Sequence, residues 1–312
     1  MVAGGFGRVS DAQRPPLVDA HRHFLPPAAV LRKELGWEVT LEAEALLLDQ
    51  GDGIRHRFPS AVASAEPAST GSGSEVPGVL SIHPRVFGVG LGHRRHDACL
   101  ALNAAMATVA GRGVSARLGV ASLTSATAAE ETLTQLAALG LPGCVVSTEE
   151  VASALTSPPA REALVSLLEA GIAIFAHPAG GIVPASRTPV VSKAAYPLLT
   201  ALAYVAITEA LREAATPSSR ILLSHLPTGA APVAHAETLD SPGVLVCVSD
   251  WSLAGAHGIG DDGARMQAVY GSDFPYRSPA FPADPDTGVV HASNNAIHAF
   301  LFGGAPQAGD EQ

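Results

Sequence analysis

Leu17-Val-Asp-Ala-His-Arg-His-Phe-Leu-Pro26 is the stretch on which the reading of this chain turns. Leu17 and Val18 read as part of a buried strand. His21 and His23 stand two residues apart, so on an extended backbone both imidazoles leave the same side. Two neutral imidazoles that converge in this way supply half of a divalent-metal site. Paired histidines near a strand end also arise incidentally, so the pair gains weight only from what stands at the other strand ends.

Outward from that stretch the chain alternates short apolar runs with amphipathic helical patterns, the signature of βαβ units and a parallel sheet. The runs predict strands near Leu17–His21, Gly78–Ile82, Leu118–Leu123, Gly143–Val146, Ile172–Phe175, Ile221–Ser224, Val244–Val248 and Val269–Gly271. Helical periodicity lies between most of them, over Asp97–Ala110, Ala128–Leu139, Ala160–Ala170, Pro197–Ala215 and Asp261–Gln267. Eight strands with intervening helices predict the α/β class, as a single closed (β/α)8 barrel domain over 1–312. The rhythm breaks between Gly36 and Pro77, where Ser60–Ser74 (SAVASAEPASTGSGS) is small, polar and punctuated by glycine and proline. That segment, about 36–77, reads as a flexible insertion after the first strand. It either covers the active site, as long loops at that end of a barrel commonly do, or is a solvated excursion.

Three more apolar runs close on polar residues. Ile172-Ala-Ile-Phe-Ala leads to His177, Arg220-Ile-Leu-Leu-Ser leads to His225, and Ala268-Val-Tyr-Gly-Ser leads to Asp273. In a parallel barrel all strand ends share one face, so His21, His23, His177, His225 and Asp273 would surround one cavity. Each has a bland explanation alone, such as a hydrogen-bonded histidine or a capping aspartate. Five together are harder to dismiss. Three imidazoles and a carboxylate suit zinc or a similar ion, with an open position for water. His83, after the second strand, and Trp251, beside Asp250 after the seventh, are further candidates to face the cavity.

Composition is consistent with this reading. At 47% hydrophobic and 15% charged residues, a large core is available and global disorder is excluded. Nineteen basic against 29 acidic residues leave a net charge of −10, which argues against a nucleic-acid or anionic-membrane surface and for a small-molecule partner. Three widely spaced cysteines, with no C-x-x-C pair, read as small buried hydrophobes in a reducing compartment. Residues 1–10 lack an apolar signal core, and the run 194–207 contains Pro197 and is too short for a bilayer. The expectation is a cytoplasmic protein.

The strand-end motifs also resemble the amidohydrolase superfamily, within it the subfamily typified by 2-amino-3-carboxymuconate 6-semialdehyde decarboxylase. The resemblance is carried by Asp19-Ala-His21-Arg-His23-Phe-Leu-Pro26, Phe175-Ala-His177-Pro-Ala-Gly-Gly181, Leu223-Ser-His225 and Tyr270-Gly-Ser-Asp273-Phe-Pro275, and runs from about Leu17 to Gly303. It implies one divalent ion, zinc first and manganese or cobalt next, held by His21, His23, His177 and Asp273. His225 would stand beside it as the acid–base residue. Arg55 or Arg57 would match a substrate-binding arginine of the family, and the resemblance extends to a homodimer. The implied activity is decarboxylation of a small carboxylated, aromatic or unsaturated metabolite. Hydrolysis of an amide, lactone or carbon–carbon bond is the alternative, and a catalytically silent ligand-binding barrel the third reading. Two departures point away from the typical substrate. Leu226-Pro-Thr-Gly229 follows His225 where the family has glycines, and no arginine stands between His225 and Arg265.

Overall fold

In a computed structural model of the chain, which describes residues 18–43, 45–51, 55–63, 68–69, 75–87, 89–109, 114–179, 196–214, 220–224, 244–248, 267–271 and 287–303, each of the eight apolar runs contains a strand. We number them β1 (Asp19–His23), β2 (Gly78–Ser81), β3 (Val114–Arg117 continuing as Gly119–Val120), β4 (Gly143–Ser147), β5 (Ala173–His177), β6 (Arg220–Leu223), β7 (Val244–Val248) and β8 (Gln267–Tyr270). All neighbouring ladders are parallel and follow chain order from β1 to β8. β3 changes partner along its length: its first part pairs with β2 and its second with β4, and the Leu118 amide between them donates to Leu80 at 2.9 Å.

The last strands return to the first. Gly271, just past β8, lies so near β1 that a Cβ there would stand 2.6 Å from the Cβ of His21, and Cys247 of β7 touches the same histidine. Among the described residues no ladder joins β8 to β1, and these contacts make the closure. Parallel strands in chain order, with helices in the described connections, are the α/β arrangement that the alternation predicts.

β1, β4 and β5 are buried at every position, as strands covered on both faces must be. Inward residues such as Val145, Phe175 and Leu222 join one core, whereas Cys144, Ile174 and Leu223 point outward into a second core beneath the helices. Local sequence explains the helix bounds. Ser125 Oγ accepts the Ala128 amide at 3.2 Å to start Ala126–Leu139, and Gly140 ends that helix at φ +65. Buried Cys99 and Cys144 are fillers: burial pushes both thiols up, Cys144 to about 12. Among the described residues no helix is long and apolar enough to cross a membrane.

Two features differ from the expectation. The segment 36–77 is not uniformly flexible: Glu38–Leu41, Ala45–Asp49 and Arg55–Pro59 form an antiparallel sheet, with Leu46, Leu48 and Phe58 buried in the main core. A short helix, Thr148–Ser153, and a closing helix, Thr287–Phe302, add to the predicted set. The predicted helix Asp261–Gln267 lies outside the described residues except for Gln267, which opens β8.

Candidate metal centre

Strand alternation sends His21 and His23 into the barrel and Arg22 to the other side. Arg22 packs flat over β2, where any side chain at Gly78 would collide with it. Asp19 braces the start of β1 by accepting the His21 amide at 3.0 Å. His177 ends β5, next to Ser147 of β4 in register. The three imidazoles meet edge to face, each pair with ring centres 4.7 Å apart, over Phe175 as floor.

The ring nitrogens decide what this arrangement can do. His21 Nε2 lies 3.0 Å from His23 Nε2, which lies 3.2 Å from His177 Nε2. The far nitrogens all have outer partners. His177 Nδ1 donates to the Pro178 carbonyl at 2.7 Å, which leaves its Nε2 carrying a lone pair in the neutral ring. Ser81 Oγ donates to the Arg22 carbonyl at 3.1 Å and lies 3.5 Å from His23 Nδ1, from which it can accept. Cys247 Sγ lies 3.5 Å from His21 Nδ1 and 3.7 Å from the Gly271 carbonyl. Outer partners of this kind fix the tautomer and aim the inner nitrogen. Lone pairs converging at such distances repel unless a cation or an added proton sits between them. In a tetrahedral zinc site with Zn–N near 2.0–2.1 Å, ligand nitrogens stand about 3.3 Å apart. The donor set therefore fits a transition ion, and the three ligand atoms all lie within 4.8 Å of one another.

A fourth imidazole joins them. His83, 7% exposed, sits with its ring centre 4.6 Å from that of His23 and 5.0 Å from that of His177. It continues the inward phase of Ser81, two residues earlier. Phe58 of the insertion sheet approaches it at 6.5 Å between ring centres.

Arg55 and Arg57 are not brought to the site. They alternate with buried His56 and Phe58, so they occupy the sheet's outer face, where Arg55 pairs with Asp49 at 2.7 Å and Arg57 with Glu42 at 3.4 Å. Sequence reasoning took the charges and missed the inner face. The alternation Arg-His-Arg-Phe was the available signal. His56 is buried; its Nε2 donates to Gln50 Oε1 at 3.0 Å, and Gln50 Nε2 donates to the Val86 carbonyl at 2.6 Å. Burial, helped by the Arg85 charge, pushes its pKa down to about 4. His225, Asp273, Asp250 and Trp251 lie outside the described residues.

A second polar cluster was also missed. Glu150, buried beside Ser147, accepts from Arg95, from the Leu123 amide at 3.0 Å and from the hydroxyls of Ser122 and Ser147 at 3.3 and 3.0 Å. Ser147-Thr-Glu-Glu150 has the capping-box pattern, with Ser147 Oγ accepting the Glu150 amide at 3.2 Å, and that pattern was its sequence signal.

No family model and no curated protein matches this sequence. Solved structures do. The chain is similar to 5-carboxyvanillate decarboxylase LigW from Sphingomonas paucimobilis, at 15% identity and TM-score 0.56 over 92% of this chain and 98% of that one. It is similar to the apo form of IDCase from Metarhizium anisopliae, at 17% identity and TM-score 0.52 over 92% of each chain. It is also similar to an amidohydrolase from Mycobacterium avium subsp. paratuberculosis, at 13% identity and TM-score 0.50 over 93% of this chain and 94% of that one. Identities this low speak to architecture alone: the chain shares the fold of these structures.

Proposed function

We propose that this protein is a metal-dependent enzyme, a carboxy-lyase acting on a small carboxylated, aromatic or unsaturated molecule. The observation that carries the reading is the convergence of three Nε2 atoms whose far nitrogens are already engaged. His21, His23 and His177 would hold one divalent ion, most simply zinc, with Asp273 as the fourth ligand from its motif. Once bound, such an ion polarises a substrate oxygen or acidifies a water.

The chain's own residues do the rest. Phe175 packs beneath the histidines, so a substrate would approach them from the strand-end face. Phe58 approaches the centre from the insertion side and adds to its apolar, water-excluding surroundings. His225 is the residue we assign to moving the proton, since a histidine exchanges one near neutral pH without a large shift. Decarboxylation has first place because one of the similar structures is a 5-carboxyvanillate decarboxylase, LigW.

Turnover of a panel of carboxylated aromatics by the metal-reconstituted protein tests the reaction. Release of carbon dioxide, with solvent deuterium entering the product at the carbon that lost it, supports the lyase. Incorporation of oxygen-18 from water without carbon dioxide would instead establish a hydrolase.

A further inference from the structure

The triad leaves one buried imidazole at the centre without an assigned part. His83 packs on two of the three candidate ligands, yet its own orientation is set from outside them. Its Nδ1 accepts the Arg85 amide at 3.1 Å, capping the 3-10 turn Pro84–Val86. That engages the Nδ1 lone pair, so the neutral ring carries its hydrogen on Nε2, at the opposite edge. A ligating nitrogen must present a lone pair, which Nε2–H does not.

The turn is itself held. Pro84 restricts the backbone at its first position. Gln50 grips the Val86 carbonyl at 2.6 Å and is oriented in turn by the buried His56, while Phe58 packs toward the His83 ring. Gln50, just past the strand Ala45–Asp49, and His56 and Phe58 of the sheet's inner face therefore converge on one four-residue turn. A solvated excursion has no use for such bracing.

We propose that His83 is a substrate-contacting residue whose Nε2–H donates a hydrogen bond to an oxygen of a carboxylate held at the His21–His23–His177 centre, with Gln50, His56 and Phe58 as its positioning residues. The proposal rests on the metal reading above and adds to it the group that recognises the anion. Nε2–H is a donor only, so it selects an acceptor, and a donor facing a carboxylate makes a stronger bond than one between neutral groups. It also gives the insertion a task that Arg55 and Arg57, on the outer face, do not perform.

The test uses the full chain loaded with cobalt(II) and titrated with benzoate, read by the cobalt visible absorption. Wild type should take up one cobalt per chain, and benzoate should shift the band. His83→Asn places an amide oxygen near the Nδ1 position, so the turn keeps its cap, but no donor reaches the Nε2 position. It should bind cobalt as wild type does and bind benzoate at least about tenfold more weakly. His83→Gln, which returns an N–H near the lost one, should recover part of that affinity. If the asparagine variant does not fold, His83→Phe retains the ring packing without the donor and gives the same readings.

Unchanged benzoate affinity in the donor-less variant would reduce His83 to a turn cap and overturn the proposal. Loss of cobalt in that variant would make His83 a ligand and overturn it as well, as would a cobalt-loaded wild type indifferent to benzoate. A wild type that takes up no cobalt defeats the metal reading, and this proposal with it.

Discussion

Two buried polar clusters sit at the same end of the same sheet, and they are built on opposite principles. Around Glu150, one carboxylate collects a guanidinium, an amide and two hydroxyls, so charge and hydrogen bonds are matched within the protein. Around His23, whose neighbour His177 pairs in register with Ser147, ring nitrogens point at one another while their outer edges are held in place. A matched cluster has done its work once the chain is folded. A converging set of acceptors calls for something positive from outside. The contrast shows that burial and polarity alone do not mark a functional site; the direction of the lone pairs does.

The comparison breaks most visibly if the two clusters respond alike to mutation. Glu150→Ala leaves Arg95 buried opposite a missing charge, and breaking such a pair costs about 3–5 kcal/mol. Denaturant unfolding should show that loss, while the surviving folded protein still takes up metal. A Glu150→Ala variant as stable as wild type would mean that the matched cluster is not structural.

Acid should act next most strongly, through His56. Its folded pKa of about 4 lies below the ordinary value of 6.5, so the unfolded chain binds this proton first as pH falls. The stability its burial protects is fully present above pH 6.5 and drains away between 6.5 and about 4, by roughly 3 kcal/mol in all. Unfolding curves for wild type and His56→Gln should converge toward the acid end of that window. Parallel curves across it would contradict the assignment.

Smaller still is the effect of the outer partners. Ser81→Ala removes the hydroxyl beside His23 Nδ1 and should weaken metal binding by about 10–100-fold, the usual cost of losing an outer-shell bond, with little change in melting. Arg55→Glu and Arg57→Glu should do least. Their partners are exposed carboxylates, and such pairs are worth about 0–1 kcal/mol, so neither metal content nor KM should move appreciably. A marked rise in KM would return those arginines to the site.

How far the sequence could be read follows from what each feature depends on. His21, His23 and His177 were legible because a strand's phase and its end are local properties, and β1 and β5 each combine the two. The strands themselves were legible for the same reason, as apolar runs buried on both faces. The insertion was not. Arg55-His-Arg-Phe58 announces two faces, but which face meets the barrel is decided by packing near Leu46, Leu48 and the turn at His83. The Glu150 cluster was hidden for a similar reason: its capping box is local, but its charge partner Arg95 lies 55 residues upstream.

The central claim is that His21, His23 and His177 form a metal centre, and elemental analysis of the purified protein tests it most directly. The account predicts close to one divalent transition ion per wild-type chain after reconstitution with zinc, manganese or cobalt. It predicts almost none for His177→Ala, with folding intact by circular dichroism. A wild-type protein that retains no transition metal under those conditions, or a His177→Ala variant that retains it in full, would contradict the account.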